Sequence, residues 1–409
     1  MKSREKTIPF HAVLWSVSFV MATIAVAHAE VPAPAHSLRP NDPLFPKQEP
    51  LFNRINVWEA WKITKGDPNV SVGVIDIGFD FFHPDLKANL LPGFFASGKY
   101  HAETFETVGH GTLVASLIAA VSDNGIGMTG LAPNCRILTA SQGMIEHPLV
   151  KLQKKFRQEH PEAGPREFAQ ALGQEKRAEL KSFSTDWTRF VNLSTAESIR
   201  YLVDRKVRVI NISELLRRSL CPVDTWQVLE DAFAYARQKG VIIVLGAGNN
   251  AALCEDYPGN EDSVIVVGAT RMDDTRWEEM LDLQGTKIRQ GSNFGKRLTV
   301  MAPTENLQVC MPHDPRFYNS ADGPMGPTKV DFKDPYGTAP QGATSSAAPL
   351  VTSLVALVYS IRPDFNASAV IDAIKQGCDD IGANGYDIHT GFGRVNFGKT
   401  IRIAMARKK

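Results

Sequence analysis

"VSVGVID", residues 70–76, is the stretch on which the fold turns. It is short, apolar and β-branched, which predicts a buried strand rather than part of a helix. It ends abruptly on a carboxylate, Asp76. Four more runs share its character: "RILTA" (136–140), "VRVINIS" (207–213), "VIIVLGAG" (241–248) and "SVIVVGA" (263–269). Helical patterns fall between several of them. "STAESIRYLVDRK" (194–206) opens on Ser194 with Glu197 three positions on, and "TWQVLEDAFAYARQKG" (225–240) closes on Gly240. Near-continuous apolar strands alternating with helices predict an α/β protein of three layers, a mostly parallel sheet covered by helices on both faces. In such sheets, sites form beyond the carboxyl ends of the strands.

The 409 residues suffice for one large domain or two ordinary ones. A formal net charge of +1 excludes a broad electrostatic footprint for nucleic acid. At the N-terminus, Lys2, Arg4 and Lys6 precede the apolar run "AVLWSVSFVMATIAVA" (12–27), and "AHA" (27–29) follows with small residues at the cleavage positions. This pattern predicts a signal peptide over residues 1–29 and export, secreted or periplasmic. The run is short for a membrane span of about 20 residues, and no later segment reads as a span, so no stable membrane insertion is expected after cleavage. Residues 30–45 are Pro-rich and read as an extended segment, and 46–405 as the main domain. Within it, a charged, helix-prone insertion at about 146–192 breaks the rhythm; it reads as a helical pair interrupted at "HPEAGP" and offers either a solvated surface or a site for a partner. Five cysteines leave at least one without an intrachain partner, and no CxxC pair suggests zinc.

Four places along the chain bear chemistry. Asp76 stands at the carboxyl edge of a buried strand. "GHGTLVASLIAA" (109–120) puts His110 between glycines at the start of a helix. "LGAGNN" (245–250) puts Asn249 at a second strand end. "GATSSAAPLV" (342–351) offers two serines, Ser345 and Ser346, at the head of a helix running to about Ile361. Singly, these read as a cap, a surface histidine, a turn and a polar helix start. Jointly they supply nucleophile, base, orienting carboxylate and amide donor at one sheet edge, which is what acyl transfer requires.

"VGVIDIGFDFFHPDL", "HGTLVAS", "GAGN" and "ATSSAAPLV" resemble the Asp, His, oxyanion and Ser motifs of the subtilisin-like serine proteases, the subtilase family. The resemblance runs from residues 41–66 to 390–400. It implies a serine endopeptidase that cleaves protein or peptide substrates through an acyl-enzyme. The family's nucleophile lies four residues before the motif's proline, so Pro349 selects Ser345 over Ser346. His110 is then the general base and acid, Asp76 its orienting group, and Asn249 the oxyanion donor beside the Ser345 backbone N–H. Ile77 stands where Ser or Thr is usual, and "NISEL" (211–215) departs from the family's substrate-pairing strand. These departures keep open a competing reading, a catalytically silent relative that binds rather than cuts.

The same resemblance implies finer features. Ser213 and Glu214 on the altered strand, with Asp256 before Tyr257–Pro258, border the family's first specificity pocket. There, two acids would favour Lys or Arg, unless both face solvent. The bond before the family's equivalent proline is cis. Asp85, Asn124 and the carbonyls of Ile126 and Met128, with Gln48 as a weaker candidate, match a structural Ca²⁺ site of oxygen ligands. Secreted members carry a propeptide, but the stretch between Ala29 and Asp76 matches the domain's own start, so the expectation is an enzyme not held latent by one. Cys221 and Cys254, each beyond the end of adjacent strands, are the expected disulfide. The insertion follows a strand whose loop borders the non-primed cleft, and is expected to form its rim or to dock a partner.

Overall fold

The computed structural model describes residues 38–95, 109–142, 156, 158–160, 174–214, 216–283, 286–313, 334–339 and 342–407. The expected signal peptide and most of the insertion before residue 174 lie outside them. The compact unit runs from Leu38 to Lys409. Its first helices, α1 (Phe45–Arg54) and α2 (Val57–Trp61), bury Phe45, Phe52 and Trp61 in edge-on contact. The Leu44 N–H also bonds the Gly127 carbonyl at 2.8 Å, which ties this start to a distant loop.

All five expected strands form. They are β1 (Ser71–Asp76), β3 (Arg136–Ser141), β4 (Val209–Ile212), β5 (Ile242–Gly246) and β6 (Val264–Thr270). β2 (Leu90–Phe95) and, after the hairpin β7 (Glu278–Leu283) and β8 (Thr286–Gly291), β9 (Val300–Pro303) extend the same sheet. The order is β2-β3-β1-β4-β5-β6-β9, with every pairing parallel. A small antiparallel pair joins β10 (Gln308–Cys310) to β11 (Tyr336–Thr338).

Strand side chains alternate between two apolar cores. Val72, Val74, Ile242, Val244, Ile265 and Val267 lie in one core with α3 (His110–Ala119) and α6 (Thr344–Ile361). Ile75, Ile243, Leu245, Val264 and Val266 lie in the other with α4 (Gln174–Asp204) and α5 (Val223–Gln238). Burial on both faces explains why the strands read as continuous apolar runs rather than alternating ones. The helices α7 (Ala367–Gly377) and α8 (Phe397–Ala406) pack behind the first core.

Three expectations need correction. Ser194 does not open a helix but lies inside α4, where its hydroxyl donates to the Val191 carbonyl at 3.0 Å. Such back-bonding into the helix lets a good capping residue sit in mid-helix. Among the described residues, α6 is long and apolar enough to cross a membrane, but 83 % of it is buried in the core. Its all-round apolarity is that of a central helix packed on several sides. The described residues contain no cis peptide bond, so Tyr257–Pro258 is trans.

Candidate active site

β1 lies between β3 and β4, so its last residue stands between two other strand ends. Asp76 is 1 % exposed and its carboxylate is fully engaged. Oδ1 accepts the Ile77 N–H at 2.8 Å, and His110 Nδ1 lies 2.8 Å from Oδ1 and 3.0 Å from Oδ2. Ile77 thus contributes its backbone N–H to the carboxylate, and its side chain has no donor to add. Two glycines bring the imidazole here. Gly109 has φ +88°, a left-handed turn that suits glycine, directly before α3. A Cβ on Gly111 would stand 2.0 Å from the Gly78 carbonyl oxygen and 3.1 Å from the Asp76 Cβ, so any side chain there would push the helix off the strand end.

The two serines differ in access. Ser346 is 1 % exposed, whereas Ser345 is half-buried at the open end of the sheet. Ser345 Oγ donates to the Ser213 carbonyl at 3.1 Å, just past the end of β4. Ser213 Oγ donates in return to the Ser345 carbonyl at 2.9 Å and accepts from Asn211 Nδ2 at 2.9 Å. Asn211 Oδ1 accepts from Thr352 Oγ1 at 2.9 Å, further along α6. This buried relay fixes the head of α6 to β4. As one of the first N–H groups of α6, the Ser345 N–H lacks an intrahelical acceptor and lies at the positive end of the helix dipole.

Asn249 is oriented by the residue before Ser345. Its Oδ1 accepts from both Thr344 N and Thr344 Oγ1 at 2.9 Å, which leaves Nδ2 to point elsewhere. Thr344 Oγ1 also accepts the Gly248 N–H at 3.0 Å. Below, the fully buried Asn293 holds the same loop: Nδ2 donates to the Ala247 carbonyl at 2.9 Å and Oδ1 accepts the Asn250 and Ala252 N–H groups at 3.0 and 3.1 Å. Sequence reasoning misses Thr344 and Asn293. Adjacency to Ser345 is a signal for the first; nothing in the sequence signals the second.

Glu214 and Asp256, expected to act together, are on opposite sides of β4. With its amide turned to match its partners, Gln142 donates to Glu214 at 2.9 Å (Oε1) and 3.3 Å (Oε2), and accepts from Thr195 Oγ1 at 2.5 Å. Gln142 follows β3, and its N–H bonds the Asp76 carbonyl at 2.8 Å. Glu214 is thus turned towards the Asp76–His110 pair. Burial, then the Asp76 charge, raise its pKa to about 7, while His110 and Gln142 act in the other sense. Asp256, beyond β5, accepts the Ser219 N–H at 2.8 Å; burial raises its pKa, but hydrogen bonds from Ser219, Cys254 and its own backbone together outweigh this and hold it below the usual range. The expected Cys221–Cys254 disulfide is not formed, and all five cysteines are free thiols. Each of the two thiols faces its own acceptor, Asn192 Oδ1 and Asp256 Oδ1, both at 3.5 Å.

The expected calcium ligands are brought together in part. Asp85 is fully buried; Oδ1 accepts from Asn124 Nδ2 at 2.7 Å and Oδ2 from the Met128 N–H at 2.9 Å. Gln48 is bonded to the next residue, Thr129, accepting its N–H at 3.0 Å and donating to its carbonyl at 2.8 Å. Asn124 Oδ1 accepts the Ile126 N–H at 3.0 Å. Among the described residues no three acidic, histidine or cysteine side chains gather to hold a metal. The donors here are instead one carboxylate, amides and carbonyls, a hard-oxygen set of the kind Ca²⁺ takes. Among the described residues Asp85 has no cationic side-chain partner, and burial pushes its pKa up to about 7. A cation would supply the missing charge, provided that the Asn124 amide turns its oxygen inward.

Similarity to known proteins points the same way as the geometry. The model of the subtilase family matches residues 67–393. A thermophilic serine proteinase of Bacillus sp. (strain AK1) is 27 % identical over 338 residues, 82 % of this chain and 63 % of that protein. Thermitase of Thermoactinomyces vulgaris is 25 % identical over 364 residues, 89 % of this chain and 99 % of thermitase. Among solved structures, fervidolysin of Fervidobacterium pennivorans superposes with a TM-score of 0.57 at 22 % identity, covering 88 % of this chain and 46 % of that one. The chain therefore spans less than two thirds of the first of these relatives and less than half of the last.

Proposed function

Because the chain belongs to the subtilase family of serine proteases, we propose that it is an exported endopeptidase that hydrolyses peptide bonds through Asp76, His110 and Ser345. The observation that carries this reading is the Asp76–His110 hydrogen bond at a sheet edge shared with Ser345 and with an Asn249 amide oriented by Thr344. In the first step the Ser345 hydroxyl turns from the Ser213 carbonyl, and Oγ attacks the scissile carbonyl carbon. Its proton passes to His110 Nε2, while Asp76 holds Nδ1–H and balances the imidazolium charge. Negative charge gathers on the former carbonyl oxygen, where Asn249 Nδ2 and the Ser345 N–H donate. Collapse expels the amine, protonated by His110, and leaves an ester on Ser345. Water, deprotonated by His110, then cleaves the ester and restores the hydroxyl.

The test is labelling with a fluorophosphonate, followed by peptide mapping. Modification is expected at Ser345 and not at Ser346, and is lost in Ser345→Ala. Folded protein that takes no label would overturn the reading in favour of a silent binding relative.

The substrate class is protein or peptide. The proposed preference for Lys or Arg then rests on Asp256, whose carboxylate accepts the Ser219 N–H and keeps its charge, since Glu214 is turned to Gln142. Ser213 keeps its proposed place beside the substrate backbone. Export rests on the N-terminal pattern, and N-terminal sequencing of the exported protein should begin after Ala29. For Ca²⁺, Asp85, the Asn124 amide and the carbonyls of Ile126 and Met128 would hold the ion, with Gln48 behind them. Bound there, the ion would tie the 122–130 loop to the start of the domain. At a Ca²⁺ concentration of about 100 Kd it would add about 2.7 kcal/mol. Chelation should lower Tm by several degrees; an unchanged Tm would remove the site.

A further inference from the structure

Three strand ends meet around the proposed active site, and two of them bring groups that the triad does not use. Gln142 leaves β3, Asp76 ends β1 and Glu214 leaves β4, in the sheet order β3-β1-β4. Glu214 reaches over the end of β1 to Gln142, whose amide is clamped from behind by Thr195 of α4. The charged groups that face Glu214 are Asp76 from β1 and His110 from α3, while β3 and α4 present only the neutral Gln142 and Thr195. Among the described residues no arginine or lysine neutralises it there. A carboxylate held in this way, beside a second carboxylate and an imidazole, has one electrostatic consequence. When ionised it favours the protonated imidazole.

We propose that Glu214 is a positioning residue for the Asp76–His110 pair, braced by Gln142, and that its charge sets the pH at which His110 becomes free to act as a base. This rests on the reading of Ser345, His110 and Asp76 as a triad. Glu214 and His110 act on each other's charge, so the resulting midpoint belongs to the pair and not to either group alone. Burial places the titration of Glu214 near neutrality, where a small change in its surroundings changes its charge.

The sign follows from the charge. Glutamine at 214 keeps the shape and the contact to Gln142 but removes the negative charge. His110 then loses its proton more readily, and the acid limb of the reaction moves to lower pH. Unit charges several ångströms apart at an effective dielectric near 20 interact enough to move that limb by about one pH unit. Gln142→Leu removes the donor that favours the ionised form, so it should move the limb the same way by less.

The experiment measures the second-order rate of inactivation by a fluorophosphonate across about pH 5–9, the range in which a histidine titrates, for the wild type, Glu214→Gln and Gln142→Leu. In parallel, the imidazole resonance of His110, identified by its absence in His110→Ala, is titrated by NMR in the Ser345→Ala background with and without Glu214→Gln. Acid limb and imidazole midpoint both moving to lower pH is the expected result. Overlaid rate profiles and overlaid imidazole titrations would overturn the proposal. If wild-type protein takes no label, the triad reading fails, and the imidazole titration still decides whether Glu214 acts on His110. If Glu214→Gln does not fold, Gln142→Leu carries both measurements, and no displacement in either overturns the proposal.

Discussion

Among the described residues, two aspartate–histidine pairs have buried acids four residues apart. Asp76 meets His110 Nδ1 at 2.8 Å, and Asp80 meets His313 Nδ1 at 2.6 Å. By bond length and burial of the acid the second pair is the equal of the first, with Asp80 7 % exposed. Their surroundings differ. Asp76 ends a central strand, beside the strand end that holds Ser345 and near the Asn249 loop. Asp80 lies on the loop beyond, bonded to the N–H groups of Phe82 and His313 and, through its own N–H, to Thr112. His313 stacks edge-on to His83, and no described hydroxyl bonds its other nitrogen. A carboxylate–imidazole pair is thus a common structural clasp. The sheet edge, which adds a hydroxyl and an amide at the right place, is what makes one of them a candidate for chemistry.

The sharpest way to test that contrast is to remove the groups unique to the first pair. Ser345→Ala and His110→Ala should each cost on the order of 10⁶ in kcat, the magnitude known from subtilisin. Retained turnover in either variant would break the comparison outright. Asn249→Ala should cost roughly 10²–10³ in kcat with little change in KM, again the magnitude known from subtilisin. Thr344→Val should lose part of the same effect, because it removes one of the two donors that hold the Asn249 oxygen and leaves only the Thr344 N–H to orient the amide. If Thr344→Val matched the wild type, the Thr344 N–H alone would suffice to orient Asn249.

Glu214 gives a smaller effect, read in stability. Its pKa in the fold, about 7, lies above the ordinary glutamate value. Its contribution is therefore fully present below about pH 4.5 and is lost as pH rises through about 7. Glu214→Gln removes that loss. It should raise Tm at about pH 8 by a few degrees, corresponding to roughly 1–3 kcal/mol, and leave it nearly unchanged at about pH 5. Equal effects at both pH values would mean that packing, not charge, governs the residue.

How much of this can be read from the residues alone follows the range of each interaction. The strands are legible because burial on both faces leaves an apolar run with no gaps, as in "VIIVLG". Asp76, His110, Asn249 and Ser345 are legible because each sits next to a strand end or helix start that the pattern marks. Glu214 is marked by its place after a strand, but not the side of β4 it faces, since a sequence gives no direction for a side chain that leaves a strand end. Gln142 and Asn293 are silent, because each acts on residues distant along the chain. The cysteines mislead for a similar reason. Adjacent strand ends bring Cys221 and Cys254 towards one region, but Asn192, from α4, offers the first thiol another partner.

The smallest expected effect belongs to the second pair. His313→Gln removes the imidazole contact to Asp80 but keeps the backbone N–H that bonds the same carboxylate oxygen. Asp80 would retain the Phe82 and His313 N–H groups, so the cost to stability should be about 1.5–3 kcal/mol, one charge-assisted hydrogen bond. His313 lies next to Pro312, which packs near Gly109 just before His110, so a small echo in activity is expected by contact alone. A change in kcat/KM of no more than about threefold fits a clasp, on the scale of a single weak contact. A loss of about a hundredfold with Tm unchanged, nearly 3 kcal/mol of transition-state stabilisation, would mean that the second pair acts on the reaction, and that the sheet edge is not the only feature separating the two.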